Sequence, residues 1–183
     1  MLVNQTLINE CLKNNRKAQF ELYQICYGVL MSICYRYRAN KEDAEELLNQ
    51  GFLKVLLNLD KYNVKVPFEA WIRRIMVNTI IDEFRKSKKE KEHLNYADFQ
   101  EETYLDNRVD FNLADLNFEA EELLNMLNKL PEMSRKVFNL YAIDGYAHKE
   151  IAEMLTISVG TSKWHVSFAR AELKKMINNK RIK

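Results

Sequence analysis

Apolar residues recur every three or four positions along most of this chain, and that period limits its fold more than any other feature. From residue 18 to 37 the stripe runs Phe20, Leu22, Cys26, Val29, Leu30, Ile33 and Tyr37. Asn40 suits the cap of a second helix, with Asp43 three positions on, and Ala44, Leu47, Leu48, Val55, Leu56 and Leu59 form its buried side. The stretch "DKYNVKV" breaks the period. Pro67 then suits the first position of a third helix, where its missing N–H is not needed. Phe68, Trp71, Ile72, Ile75, Thr79, Ile80 and Phe84 make that helix's stripe, and it ends in cations that complement its negative pole. No segment alternates polar and apolar residues, and four glycines and two prolines are too few for a sheet built on tight turns.

Residues 91–117 lack a sustained period and are rich in Asp, Glu and Asn, so they read as an acidic linker. Helical spacing returns from Phe118 to Leu130. Pro131 starts another helix, and Gly145 suits a left-handed position that ends it. The predicted fold is all-α, with small helical domains at 1–90 and 118–183 joined by 91–117.

The segment "HKEIAEMLTISVGTSKWHVSFARAELK" carries the most specific local pattern. His148 to Leu155 has apolar residues at 151, 152 and 155. Thr156-Ile157-Ser158 interrupts, and a longer helix follows with Val166, Ala169, Leu173 and Ile177 on one stripe and Ser162 at its edge. Lys163, Ser167, Arg170 and Lys174 flank one side, while Trp164 and Phe168 fall on the opposite face. A short helix, a tight turn and a longer cationic helix fit a helix-turn-helix, whose second helix enters the major groove. In that placement Lys163 and Arg170 meet phosphates or guanine edges, Thr161 and Ser162 donate to phosphate, and Ser158 caps the helix. An ordinary antiparallel helix pair fits the same spacing.

Net charge is +2, which says little, but its distribution says more. Glu42, Asp43, Glu45 and Glu46 cluster; Arg73, Arg74, Arg85, Lys86, Lys88 and Lys89 follow; the acidic linker comes next; and residues 131–183 are again basic. This succession suggests two nucleic-acid-facing modules around a solvated linker, although charges also simply coat solvated helix faces. Cys11, Cys26 and Cys34 lie among apolar helical positions without CxxC or paired-His spacing, so they read as reduced thiols of a cytoplasmic protein rather than as a zinc site. No apolar run is long enough to span a bilayer, and the N-terminus does not read as a secretory signal.

Two stretches carry a family resemblance. Leu130-Pro131, Arg135, Val137-Phe138, Leu140, Gly145, His148-Lys149-Glu150-Ile151-Ala152, Ile157-Ser158, Gly160-Thr161, Ala169-Arg170 and Leu173 resemble, in order and spacing, the C-terminal domain of bacterial extracytoplasmic-function sigma factors. Asp43-Ala44-Glu45-Glu46-Leu47, Gln50, Phe52, Phe68, Ala70-Trp71, Arg74-Ile75, Asn78, Asp82 and Arg85 resemble the same family's N-terminal domain. The resemblance implies a non-enzymatic, cofactor-free factor whose partners are core RNA polymerase and promoter DNA. Many relatives are also held by an anti-sigma factor, often membrane-anchored.

It further implies residue roles. Glu42, Asp43, Glu46 and Gln50 dock on the polymerase clamp. Tyr62, Asn63 and Lys65 in the loop, with Arg73, Arg74, Asn78 and Arg85 on the helix, open and hold the minus-ten strand. Trp71, on the apolar stripe, suits core packing better than base stacking. The minus-thirty-five element is left to Ser158, Thr161, Ser162, Lys163, Trp164, Ser167, Arg170 and Lys174. Relatives thread the linker through polymerase near the RNA exit path. Ala147 departs from a Ser that commonly caps the next helix, and Trp164 and His165 from smaller or polar residues.

Two other classes account for less of the sequence. A different DNA-binding regulator with the same C-terminal motif leaves "DAEELLNQ" and "FEAWIRRIMVN" unexplained. A carboxylate-bridged metal enzyme needs two Glu-x-x-His motifs, and the chain has one, Glu90 to His93.

Overall fold

The computed structural model describes residues 3–38, 40–94 and 118–181. Its helices group into two compact units. The first holds α1 (Gln5–Leu12), α2 (Arg16–Tyr37), α3 (Lys41–Leu57) and α4 (Phe68–Leu94); the second holds α5 (Phe118–Asn128), α6 (Glu132–Phe138), α7 (His148–Leu155) and α8 (Val159–Arg181). No strand occurs among the described residues.

Asparagines start the first three helices. Asn4, Asn15 and Asn40 each turn a side-chain oxygen onto backbone N–H groups that the first turn leaves unpaired: Leu7 at 2.7 Å, Lys17 at 3.0 Å and Asp43 at 2.8 Å. α1 was not expected. It is only eight residues long, so its stability comes from burying Leu7, Ile8 and Cys11. α2 supplies the centre of the unit through Leu22, Cys26, Leu30, Ile33, Cys34 and Tyr37. α3 and α4 close over it with Leu47, Leu48, Val55, Ile72, Met76 and Ile80. Gly51 lets them approach, because a Cβ there would run into the Met76 thioether.

Pro67 sits one residue before α4, not within it. Its carbonyl accepts the first helical bond from the Trp71 N–H at 3.1 Å. α4 also continues through 91–94, residues expected to begin the linker. The rest of the expected acidic linker, 95–117, lies outside the described residues.

In the second unit Leu127 and Leu130 pack with Ala169 and Leu173, flanked by Met126, Phe138 and Met176. Pro131 again precedes its helix as the N-cap. α6 ends in a wide turn at Asn139–Ile143, where the Asp144 N–H reaches back to the Asn139 carbonyl at 2.9 Å. Gly145, at φ 78°, then takes the left-handed position predicted for it, and the Tyr146 N–H closes on the Leu140 carbonyl at 2.9 Å. The N-cap of α7 is Ala147, whose methyl group cannot accept a hydrogen bond. Half of a capping box remains: the Glu150 carboxylate accepts the Ala147 N–H at 2.7 Å. Ile177, expected on the buried stripe of α8, is 41% exposed, because the stripe outlasts the helices it packs on.

Candidate polymerase and nucleic-acid interfaces

On α3 the residues Ala44, Leu47, Leu48 and Gly51 are buried, which turns Glu42, Asp43, Glu46 and Gln50 to solvent. Gln50 donates to Glu46 at 3.3 Å one turn earlier, and Asn40 donates to the Asp43 carboxylate at 2.9 Å. The four predicted residues therefore do share a surface. Sequence reasoning missed how that surface continues. Leu53 and Leu57 stand at i+7 and i+11 from Glu46, hence on the same side of the helix, and are 56% and 68% exposed. That spacing was available in the sequence.

The loop before α4 differs from expectation. Tyr62 is the loop residue expected to meet DNA. Its ring instead packs edge-on against Phe68 at 5.0 Å and tilted against Trp71 at 5.1 Å, and its hydroxyl donates to the Val66 carbonyl at 2.8 Å. Tyr62 thus holds the loop closed, and Trp71 is half-buried in the same aromatic cluster. Asn63 accepts the Lys65 N–H at 3.0 Å, an Asx turn that tightens the loop. Lys65 points its side chain to solvent, and Val64 at the loop tip is 69% exposed.

Arg74, Asn78 and Arg85 are exposed at i, i+4 and i+11 of α4, so one face of the helix carries all three. Arg73 lies beside them and is held by Glu69 through bonds of 2.8 and 3.0 Å. An exposed i,i+4 pair of this kind is worth only about 0.3–0.5 kcal/mol, so a phosphate can displace it.

In the second unit the turn between α7 and α8 is Thr156-Ile157-Ser158. Thr156 adopts left-handed φ 54°, and the Ile157 N–H bonds the Ala152 carbonyl at 3.0 Å. Ser158 caps α8 by accepting the Thr161 N–H at 2.9 Å, and its hydroxyl also bonds the Thr161 hydroxyl at 2.8 Å. Both hydroxyls expected at DNA are therefore engaged with each other in this state. Ser162 is a correction. It is 0% exposed, and its Oγ shares a 2.9 Å hydrogen bond with His148 Nδ1 on α7, so it cannot donate to phosphate.

With Ser162, Val166, Ala169 and Leu173 buried, α8 presents Lys163, Trp164, Ser167, Arg170 and Lys174 to solvent. The Arg170 guanidinium lies 5.6 Å from the Tyr141 ring, and His148 stacks on that same ring at 4.3 Å and 14°. Trp164 stacks on Phe168 at 5.2 Å and 19°, with the edge of His165 at 5.0 Å. His165 reaches back to α6 through a 2.9 Å hydrogen bond between Nδ1 and Ser134 Oγ, and its burial lowers its pKa.

Comparison with known proteins follows this division. Residues 22–90 match the family described as Sigma-70 region 2, and residues 120–173 match Sigma-70, region 4. The ECF RNA polymerase sigma factor SigW of Bacillus subtilis (strain 168) is 28% identical over 182 residues, covering 94% of this chain and 95% of that protein. The ECF RNA polymerase sigma factor EcfG of Rhodopseudomonas palustris (strain TIE-1) is 28% identical over 138 residues, 75% of this chain and 73% of that one. In fold the chain is similar to the sigma factor RpoE of Bartonella quintana, solved in complex with the anti-sigma factor NepR, with TM-score 0.50 and 19% identity over 86% of this chain and 97% of that one. With region 2 matched on α2–α4 and region 4 on α5–α8, the chain belongs to the sigma-70 family as an extracytoplasmic-function sigma factor, which binds RNA polymerase and directs it to promoters.

Proposed function

We propose that the two units divide promoter recognition between them. The α3 face of Glu42, Asp43, Glu46 and Gln50, extended by Leu53 and Leu57, docks on core polymerase. A carboxylate patch running into exposed leucines suits a partner surface with a basic rim and an apolar centre. Lys65, Arg73, Arg74, Asn78 and Arg85 hold the melted minus-ten strand, where cations neutralise phosphate and the rigid loop of Asn63 offers an edge to an unpaired base. Tyr62 serves this site from behind, by fixing the loop. Lys163, Trp164, Ser167, Arg170 and Lys174 meet the minus-thirty-five element in the major groove, with Ser158 and Thr161 setting the start of α8.

The observation that carries this reading is the face of α8. With Ser162, Val166, Ala169 and Leu173 buried, Lys163, Trp164, Ser167, Arg170 and Lys174 all stay exposed, the combination a groove-reading helix needs. The same proposal places the protein in the cytoplasm, where its three free, buried thiols stay reduced, and gives it an anti-sigma factor as a further partner, on the family resemblance. No described helix is long and apolar enough to cross a membrane.

Permanganate reactivity of promoter thymines in the reconstituted holoenzyme tests it. Arg74→Ala with Asn78→Ala should suppress reactivity near minus ten while initial duplex binding persists. Undiminished reactivity in a folded variant removes α4 from melting.

A further inference from the structure

Trp164 is exposed where exposure is least expected. An indole left 58% in water forgoes most of the stabilisation that burying it would bring, and its neighbours Phe168 and His165 cover only part of it. It stands in the second turn of α8, on the side away from Ser162, Val166 and Ala169, within the half of the helix that reaches base edges. Its position is also fixed. Phe168 stacks on it at 5.2 Å and 19°, His165 meets its edge at 5.0 Å, and His165 is tied to Ser134 on α6 at 2.9 Å. A rigid aromatic plate loses little conformational freedom on docking.

Its surroundings narrow the occupant. Lys163 lies beside it, Ser167 is three positions on, and Arg170 and Lys174 are exposed on the adjoining flank of the helix. An apolar plate bordered by cations suits a polyanion with an apolar group recessed between its phosphates. In the major groove the apolar group that base edges offer is the thymine 5-methyl.

We infer that Trp164 is a specificity-determining residue, selecting thymine at one position of the minus-thirty-five element through its 5-methyl group. This rests on the placement of α8 in the major groove proposed above. Lys163 and Arg170 supply affinity around it, and Phe168 and His165 are positioning residues that hold the indole flat. The stacked pair is then not a surface ornament of the helix but the wall that receives the methyl.

The test uses holoenzyme reconstituted with core polymerase. Minus-thirty-five elements are first selected from a randomised duplex. Each thymine of the enriched element is then replaced singly by deoxyuridine, which removes the methyl and leaves base pairing intact. One position should lose about fourfold in affinity, the factor that burying one methyl-sized group produces. That loss should vanish in Trp164→Ala and persist in part in Trp164→Phe, with helicity unchanged in both. Absence of any methyl-sensitive position, an enriched element without thymine, or a methyl effect that survives Trp164→Ala overturns the inference while leaving α8 in the groove. If no element is enriched at all, the groove placement fails and the inference falls with it.

Discussion

Ser162 on α8 and His148 on α7 are joined by a 2.9 Å hydrogen bond, with the serine wholly out of solvent. This bond fixes the angle between the two helices of the helix-turn-helix, so the serine acts on the fold and not on DNA. Ser162→Ala should lower the stability of the protein by about 1 kcal/mol, the usual net worth of such a bond. Preference across a randomised minus-thirty-five element should stay as in the wild type. Urea denaturation measures the first effect and binding selection the second; a changed preference at normal stability would return Ser162 to the DNA surface.

Gly51 poses a contest of two effects. Alanine in a helix gains about 1 kcal/mol over glycine. Overpacking a filled core costs about 1–3 kcal/mol. The obstructing atoms are the flexible end of Met76, but Met76 is itself fully buried and has little room to move. Gly51→Ala should therefore be destabilising on balance. In a Met76→Ala background the obstruction is gone, and the same substitution should become stabilising. A double-mutant cycle by chemical denaturation checks the reversal of sign.

His165 makes the second unit sensitive to acid. Burial lowers its pKa from 6.5, so below that value the unfolded chain binds a proton that the folded one resists. Its contribution to stability is complete above 6.5 and is lost as pH falls through the lowered pKa. The denaturation midpoint followed by Trp164 fluorescence in Trp71→Phe should fall as the solution is acidified from neutrality. His165→Gln should flatten that dependence.

Cys26 and Cys34 are pushed up to about 12 by burial. Iodoacetamide at mildly alkaline pH should leave both unmodified in the native protein and alkylate both in urea, as mass spectrometry reads directly. Their stabilising contribution is full below the ordinary thiol value of 9.0 and is lost as pH rises from there toward about 12. Rapid native labelling of either thiol would contradict the packing of α2.

The helices of both units were legible because their stripes are long and their caps are ordinary: Asn40 begins α3 as predicted, and the Thr156 turn separates α7 from α8 where the period breaks. α1 escaped because its eight residues carry a short stripe with no neighbouring motif, whereas the equally short α7 was marked by the turn and the longer helix after it. The candidate surfaces were legible in their charges and not in their hydroxyls and rings. A serine at the edge of a stripe can face either way, and a bond to His148, fourteen residues earlier, decides it for Ser162. The packing of Tyr62 was not legible because its loop has no period, whereas Phe68 and Trp71 bring an aromatic wall under it. Leu53 and Leu57 lie off the expected buried side of α3 and went unnoticed because no charge marks the apolar end of that surface.

Run-off transcription on a promoter library, with core polymerase, tests the central claim most directly. Three mixtures decide it: core alone, core with the protein, and core with a variant carrying Asp43→Lys and Glu46→Lys. Both positions are exposed, so the reversal should change stability little. Discrete transcripts are expected only in the second mixture, and their loss in the third should follow a weakened affinity for core. Specific transcripts from core alone, no transcripts from the second mixture, or full activity of the charge-reversed variant would contradict the assignment of these surfaces.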